Sequence, residues 1–261
     1  MANESEQAPA GGPLVDLKLC FAALTRLRMR LEPEEAARPL AAAAWAFPVV
    51  GIIVGLIAAA VLQLALGIGL TPWVAAVLAI AAELGITGAL HEDGLADVAD
   101  GFGGGRDREH KLAIMRDSRI GVYGVVTLVI ALALRIAAIA EIGTPSLAAA
   151  ALVSAAALSR ASVAGVMWLG APARTDGLGA AAGRARSEIV ALAAAIAVIV
   201  AMLIAGLLPA IVAAIAATAG GLIVLDIANR QIGGTTGDVL GAAQQIAEIA
   251  ALLAFSATLS A

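Results

Sequence analysis

Pro72-Trp-Val-Ala-Ala-Val-Leu-Ala-Ile-Ala-Ala-Glu-Leu-Gly-Ile-Thr-Gly-Ala-Leu90 runs directly into His91-Glu-Asp-Gly-Leu-Ala-Asp-Val-Ala-Asp-Gly101. The first stretch is apolar over enough residues to cross a bilayer, because about 20 residues rising about 1.5 Å each span a hydrocarbon core of roughly 30 Å. The second sets acids and a histidine at the end of that segment, a place for handling a cation and a phosphate. Composition extends the membrane reading to the whole chain. Of 261 residues 61% are hydrophobic and only 14% charged, too little polar surface to clothe a soluble domain. Seven spans are expected, at 42–66, 72–90, 121–141, 146–169, 188–206, 208–226 and 239–259. Aromatic residues are 3% of the chain while alanine and glycine abound, which favours closely approaching helices over an outer-membrane barrel. The expected fold class is all-α, a polytopic transmembrane helix bundle with interfacial amphipathic helices, forming one integral membrane domain over 17–261.

Residues 1–16 contain Pro9, Gly11, Gly12 and Pro13 but no basic start followed by an apolar run, so a disordered tail is expected there rather than a cleavable signal. From Leu14 to Leu31 apolar residues alternate with Lys18, Arg26, Arg28 and Arg30, the pattern of an amphipathic helix lying at the interface. The single cysteine, Cys20, reads as a buried thiol. Orientation follows from the cations. The connections 67–71, 142–145 and 207 hold no Lys or Arg, whereas 26–38 holds four, 91–120 five, 170–187 three and 227–238 one. Cytoplasmic loops retain such residues, so even alternation puts the tail, the acidic cluster, Arg174 to Arg186 and Gly233 to Asp238 on the cytoplasmic face.

Asp93, Asp97 and Asp100 are spaced i, i+4 and i+7, so a helix continuing past His91 projects all three carboxylates from one face. A divalent cation relieves their repulsion. Mg²⁺ keeps several waters and shares its sphere with substrate phosphates, which makes it the natural occupant of a carboxylate site without thiols. The plain alternative is a solvated acidic helix end, although Gly94 and Gly101 interrupt the surface it would need. His91 reads equally as a general base, a metal ligand or a cap at headgroup level, and His110 as a solvated residue. The glycines of Gly101-Phe-Gly-Gly-Gly-Arg106 let backbone N–H groups approach an anion.

Lys111-Leu-Ala-Ile-Met-Arg-Asp-Ser-Arg119 is expected as a short helix with Leu112 and Met115 on one side. Its cations either grip a diphosphate or hold topology at lipid phosphates, and Asp117 completes a second metal position or pairs with Arg116 and Arg119. Gly233-Gly-Thr-Thr-Gly-Asp238 places hydroxyls and a carboxylate at a helix N-terminus, a setting for phosphate in which Thr235 or Thr236 serves equally as an N-cap. A site shared by Asp93 and Asp238 requires only that the second and last spans be neighbours. Glu83, Arg135, Arg160, Asp226 and Glu248 lie within spans and are expected to face the interior and pair, with Arg160 and Glu248 reaching the substrate.

Leu24-Thr-Arg-Leu27, Phe47-Pro-Val-Val-Gly51, Thr87-Gly-Ala-Leu90 with His91-Glu-Asp-Gly-Leu-Ala-Asp97, Ile114-Met-Arg-Asp-Ser-Arg-Ile-Gly121, Ser159-Arg160 and Gly233-Gly-Thr-Thr-Gly-Asp238 follow one another in order. Together they resemble the cobalamin synthase (adenosylcobinamide-GDP ribazoletransferase) family over nearly the whole chain. The chain departs from that pattern at Arg28, where the family often has proline, and at Glu92, where it tends to an apolar residue. The resemblance implies a Mg²⁺-dependent bacterial or archaeal membrane enzyme. Its reaction would join α-ribazole, or α-ribazole phosphate, to adenosylcobinamide-GDP with release of GMP. By the same resemblance Asp93, Asp97 and Asp100 hold Mg²⁺ with help from Asp238, Arg116 and Arg119 stabilise the leaving GMP with Arg160 among the catalytic cations, and His91 or Asp117 orients the attacking hydroxyl. Arg26, Lys111, Thr235, Thr236 and Glu248 fall to substrate binding. The implied partners are these small molecules and the lipid bilayer, beside other late-pathway membrane proteins and without nucleic acid.

Two rival readings compete. CDP-alcohol phosphotransferases also act on a diphosphate with a carboxylate-held metal, but their motif opens Asp-Gly-x-x-Ala-Arg, and here Asp93-Gly94 is followed by Leu95-Ala-Asp-Val98. An ion-coupled transporter would use Glu83, Arg135 and Arg160 as a midplane relay. Against it, the acids cluster at one face and the spans show no repeated half.

Overall fold

The helices, in chain order, are α1 (Pro13–Leu24), α2 (Pro33–Ala36), α3 (Phe47–Gly67), α4 (Pro72–Thr87), α5 (Leu90–Gly104), α6 (Arg108–Ile114), α7 (Val122–Ala140), α8 (Pro145–Leu169), α9 (Leu178–Ala182), α10 (Ser187–Ala205), α11 (Leu207–Ile232) and α12 (Gly237–Leu259). They come from a computed structural model that describes residues 11–259. A 3-10 turn, Leu40–Ala46, leads into α3. Among the described residues six helices are long and apolar enough to cross a membrane: α3 with its leading turn, α7, α8, α10, α11 and α12.

The second expected span departs from a straight helix. It breaks after Thr87, and the chain turns by 90° between α4 and α5. Gly88 ends α4 at φ +68°, and Ala89 follows at φ +56°, the only non-glycine residue of positive φ among those described. Both N–H groups close on the Leu84 carbonyl, at 2.8 and 3.1 Å. Successive left-handed residues thus terminate one helix and aim the next, at a cost of about 1–2 kcal/mol for the alanine.

The N-terminal expectations also shift. Residues 1–10 of the expected tail lie outside those described, and α1 already begins at Pro13. Asp16 accounts for the early start. Its carboxylate accepts the Trp45 indole N–H at 2.8 Å and pairs with Arg38 at 2.8 Å, fastening α1 to the 3-10 turn. The helix stops at Leu24 instead of reaching Leu31, because Thr25 turns to extended backbone. Cys20 is buried and donates its S–H to the Ala43 carbonyl at 3.3 Å. Burial raises its thiol pKa above the usual range, which leaves it inert.

α8 forms the centre of the bundle, with 78% of its apolar window buried against 22% for α10. Its tightest partner is α3, through Gly51 and Gly55. A Cβ at Gly55 would stand 2.7 Å from Val153 Cα, and one at Gly51 2.9 Å from Ala157 Cα. Close backbone packing of this kind holds helices together in lipid, where apolar burial alone gives no preference. Gly55→Leu is therefore expected to destabilise the bundle by about 1–3 kcal/mol through overpacking. A lowered melting temperature in detergent checks it.

Connections sort to two ends. At one, the Gly143 N–H donates to the Leu259 carbonyl. At the other, the loops after α8 and α11 join in a single bridge, with Thr235 N–H on Ala171 O and Ala173 N–H on Thr235 O, both at 2.8 Å. Arg108 of α6 clamps that bridge, donating to the Ile232 carbonyl at 2.8 Å and to the Ala173 carbonyl. The cation-bearing connections 91–120, 170–187 and 227–238 therefore share one end of the bundle.

Candidate active site

α5 is held between two helix starts. Gly94 lies on the first turn of α12, where a Cβ would stand 2.8 Å from the Asp238 carbonyl oxygen and 3.0 Å from its Cα. Glycine lets the two backbones meet. On the other side buried Asp100 accepts the N–H groups of Gly121 at 2.7 Å and Gly124 at 2.9 Å, capping α7. Between these contacts Asp93 and Asp97 project beside Asp238. The charges of Asp93, Asp238 and Asp100 all act on Asp97, and Asp238 feels both Asp93 and the cation Arg174. Acids from the second and last apolar segments share one site.

A four-acid metal cage is not assembled. Asp100 shares the face, as its spacing requires, but both of its oxygens serve the N-terminus of α7. Among the described residues no group of three or more His, Cys, Asp or Glu stands close enough to hold one cation. Asp93, Asp97 and Asp238 remain as neighbouring hard oxygen donors. Among the described residues Asp93 and Asp97 have neither a hydrogen bond nor an ion pair, so both are free to bind.

The threonines hold the neighbouring loop. Thr236 Oγ1 accepts the Val239 N–H at 3.2 Å as N-cap of α12 and donates to Asp238 Oδ2 at 3.2 Å. The Thr235 hydroxyl donates to the Ala171 carbonyl at 3.3 Å.

α6 differs from the helix expected over 111–119. Asp107 accepts the His110 N–H at 2.9 Å as N-cap, and the helix ends at Ile114, which places buried Met115 against Gly101. The cations that follow are paired at the surface. Arg116 donates to both oxygens of Asp176 at 2.8 Å, and Arg119 binds Asp117 at 2.6 Å. Hydrogen bonds from Arg119 hold the exposed Asp117 carboxyl down at about 2, which makes it a poor general base. Lys111 donates to Gln231. Arg26 lies across Gly88 at the α4–α5 elbow, its backbone N–H on the Ile86 carbonyl at 2.7 Å.

Behind the acids lies a buried ion network. Arg135 of α7 donates to Glu92 at 2.8 Å, to Glu248 at 2.6 Å, to Gln245 at 3.2 Å and to Glu83. Arg160 of α8 stands 3.6 Å from the other oxygen of Glu248, which also accepts from Ser159 and Gln244. Arg160 and Glu248, expected at the substrate, therefore bond inside the protein. His91 is buried beside them, under Gly241 of α12. Asp226 does not face the interior as expected. It pairs with Arg230 at 2.9 Å on an exposed turn, because α11 continues to Ile232 and carries the pair toward the polar end.

Sequence reading did not single out Glu92, which joins the buried ion network, or Arg174, whose charge acts on Asp238. The neighbouring Asp93 overshadows Glu92, whose partner lies far along the chain in α7. Arg174 had a visible signal in Ala173-Arg-Thr-Asp-Gly177, a charged glycine turn on the same expected face as the acids.

The family model of cobalamin-5-phosphate synthase matches residues 16–256. A protein of Bradyrhizobium diazoefficiens is 48% identical over 94% of each chain, and one of Mesorhizobium japonicum 46% identical over 95% of each. Both are named adenosylcobinamide-GDP ribazoletransferase. No solved structure matches. Since the family match and the relatives cover almost its full length, the chain belongs to the cobalamin-5-phosphate synthase family.

Proposed function

We propose that this protein is a multi-pass membrane transferase that joins α-ribazole, or its 5′-phosphate, to adenosylcobinamide-GDP and releases GMP. The packing of Gly94 on Asp238 carries the reading, because it gathers Asp93, Asp97 and Asp238 in a chain whose relatives bear that enzyme's name. The riboside hydroxyl attacks the phosphorus on the cobinamide side, its proton departs, and the bond to GMP breaks. Displacement at a diphosphate depends on positioning and on neutralising charge as the bond breaks.

Mg²⁺ fits the donor set of unpartnered carboxylate oxygens, since it is usually held by one or two carboxylates plus waters and substrate phosphates. Asp93 and Asp97 would hold it, with Asp238 close beside them, and when bound it would neutralise the diphosphate. Arg116 and Arg119 supply further cations at the rim once their surface pairs exchange for phosphate. With Asp117 held ionised, His91 in the first turn of α5 is the residue proposed to orient the hydroxyl. The bacterial cytoplasmic membrane is the proposed location, with the acids at the cytoplasmic face, because the cation-bearing connections share their end. Neither rival gains support, and the residues of the transporter relay are locked in ion pairs.

Purified protein incubated with GDP-cobinamide and α-ribazole phosphate is expected to give equal amounts of GMP and joined product with Mg²⁺, and neither after EDTA treatment. Chromatography reads both. Full activity without a divalent cation would remove the metal role, and failure with every riboside offered would remove the transferase reading.

A further inference from the structure

On the transferase reading above, we infer that Arg174 binds a phosphate of the nucleotide-linked substrate beside Asp238. Three carboxylates at one end of the bundle repel a diphosphate, so the site gains from a fixed cation of its own. Arg174 is built to be that cation. Its loop is fixed by the Pro172–Thr235 bridge, by Arg108 donating to a carbonyl on either side of that bridge, and by Gly179 packed on Thr236 and Gly237. Its charge reaches Asp238, yet no bond joins the two.

Part of the guanidinium is left open. Arg174 is 18% exposed, and its Nη1 is buried without a hydrogen-bond partner among the described residues. Its nearest acid, Asp176, stands 3.9 Å from Nε and already accepts two bonds from Arg116. Arg108, which staples the same loops, instead spends its donors on two carbonyls. A buried donor without a partner is costly, and a phosphate oxygen would satisfy it with a charge-assisted bond of fitting geometry.

The test uses full-length protein in detergent, with transfer kinetics for both substrates and equilibrium dialysis of GMP. Arg174→Gln is expected to raise KM for GDP-cobinamide about tenfold or more and to weaken GMP binding by a similar factor, leaving KM for α-ribazole phosphate within about twofold. Unchanged KM for GDP-cobinamide and unchanged GMP binding would overturn the inference while leaving the transferase reading intact. An equal rise in both KM values would overturn it too, marking a loop that has merely loosened. If the glutamine variant does not fold, Arg174→Lys decides: it keeps the charge but loses the fork, so a raised KM for GDP-cobinamide alone supports the inference and wild-type values overturn it. Absence of transfer by the wild type would sink the underlying reading, and GMP binding would then still judge Arg174.

Discussion

Asp97→Asn is expected to lower kcat/KM for ribazole transfer by about a hundredfold or more and to shift Mg²⁺ activation to higher concentration. Asp97 is half-buried on α5 and has no hydrogen-bond or ion-pair partner among the described residues, so removing its charge breaks no such bond there. The loss should therefore appear in catalysis and not in the melting temperature. Asp100→Asn makes the opposite expectation. Its carboxylate caps α7 through two N–H groups, and an amide can offer only one acceptor oxygen, so stability should fall by about 1 kcal/mol while Mg²⁺ activation keeps its midpoint. Magnesium titrations and melts of the two variants side by side separate ligand from cap. An Asp97→Asn protein with wild-type transfer would take Asp97 out of the metal site.

Arg135→Ala should be the most damaging single change to the fold, destabilising it by about 3–5 kcal/mol. The substitution strands Glu83, Glu92 and Glu248, three buried carboxylates drawn from α4, α5 and α12. Arg160 contacts only Glu248 among them and cannot compensate. The yield of folded protein and its melting temperature in detergent give the measure. Adding Glu83→Gln and Glu92→Leu to Arg135→Ala should recover part of the loss, since fewer charges are then left unpaired. A single variant that melts with the wild type would mean that the network contributes nothing. Because Glu92 precedes Asp93, partial unfolding here should also reach the acids of the site.

Six spans and the shared face of Asp93, Asp97 and Asp100 were legible because both follow from local rules, apolar length and helical spacing. The shared end of the cation-bearing loops followed from charge alone. Other features depend on partners that no local rule names. Asp100 looks like its neighbours in sequence, and only the distant N-terminus of α7 turns it into a cap. The elbow at Ala89 leaves no trace in periodicity, since apolar residues continue through it and the left-handed alanine carries no turn signal of its own. Arg160 and Glu248 read as substrate contacts because their charge was visible and Arg135's central position among the helices was not.

The 16 residues of α4 rise only about 24 Å, short of a hydrocarbon core of roughly 30 Å. Trp73, Val74, Val77 and Leu78 face outward along it, so acyl chains meet this truncated wall directly. The bilayer adjusts to such a mismatch by thinning locally. Local thinning there would bring headgroups and water inward to the elbow between α4 and α5, beside the start of the helix that carries Asp93 and Asp97.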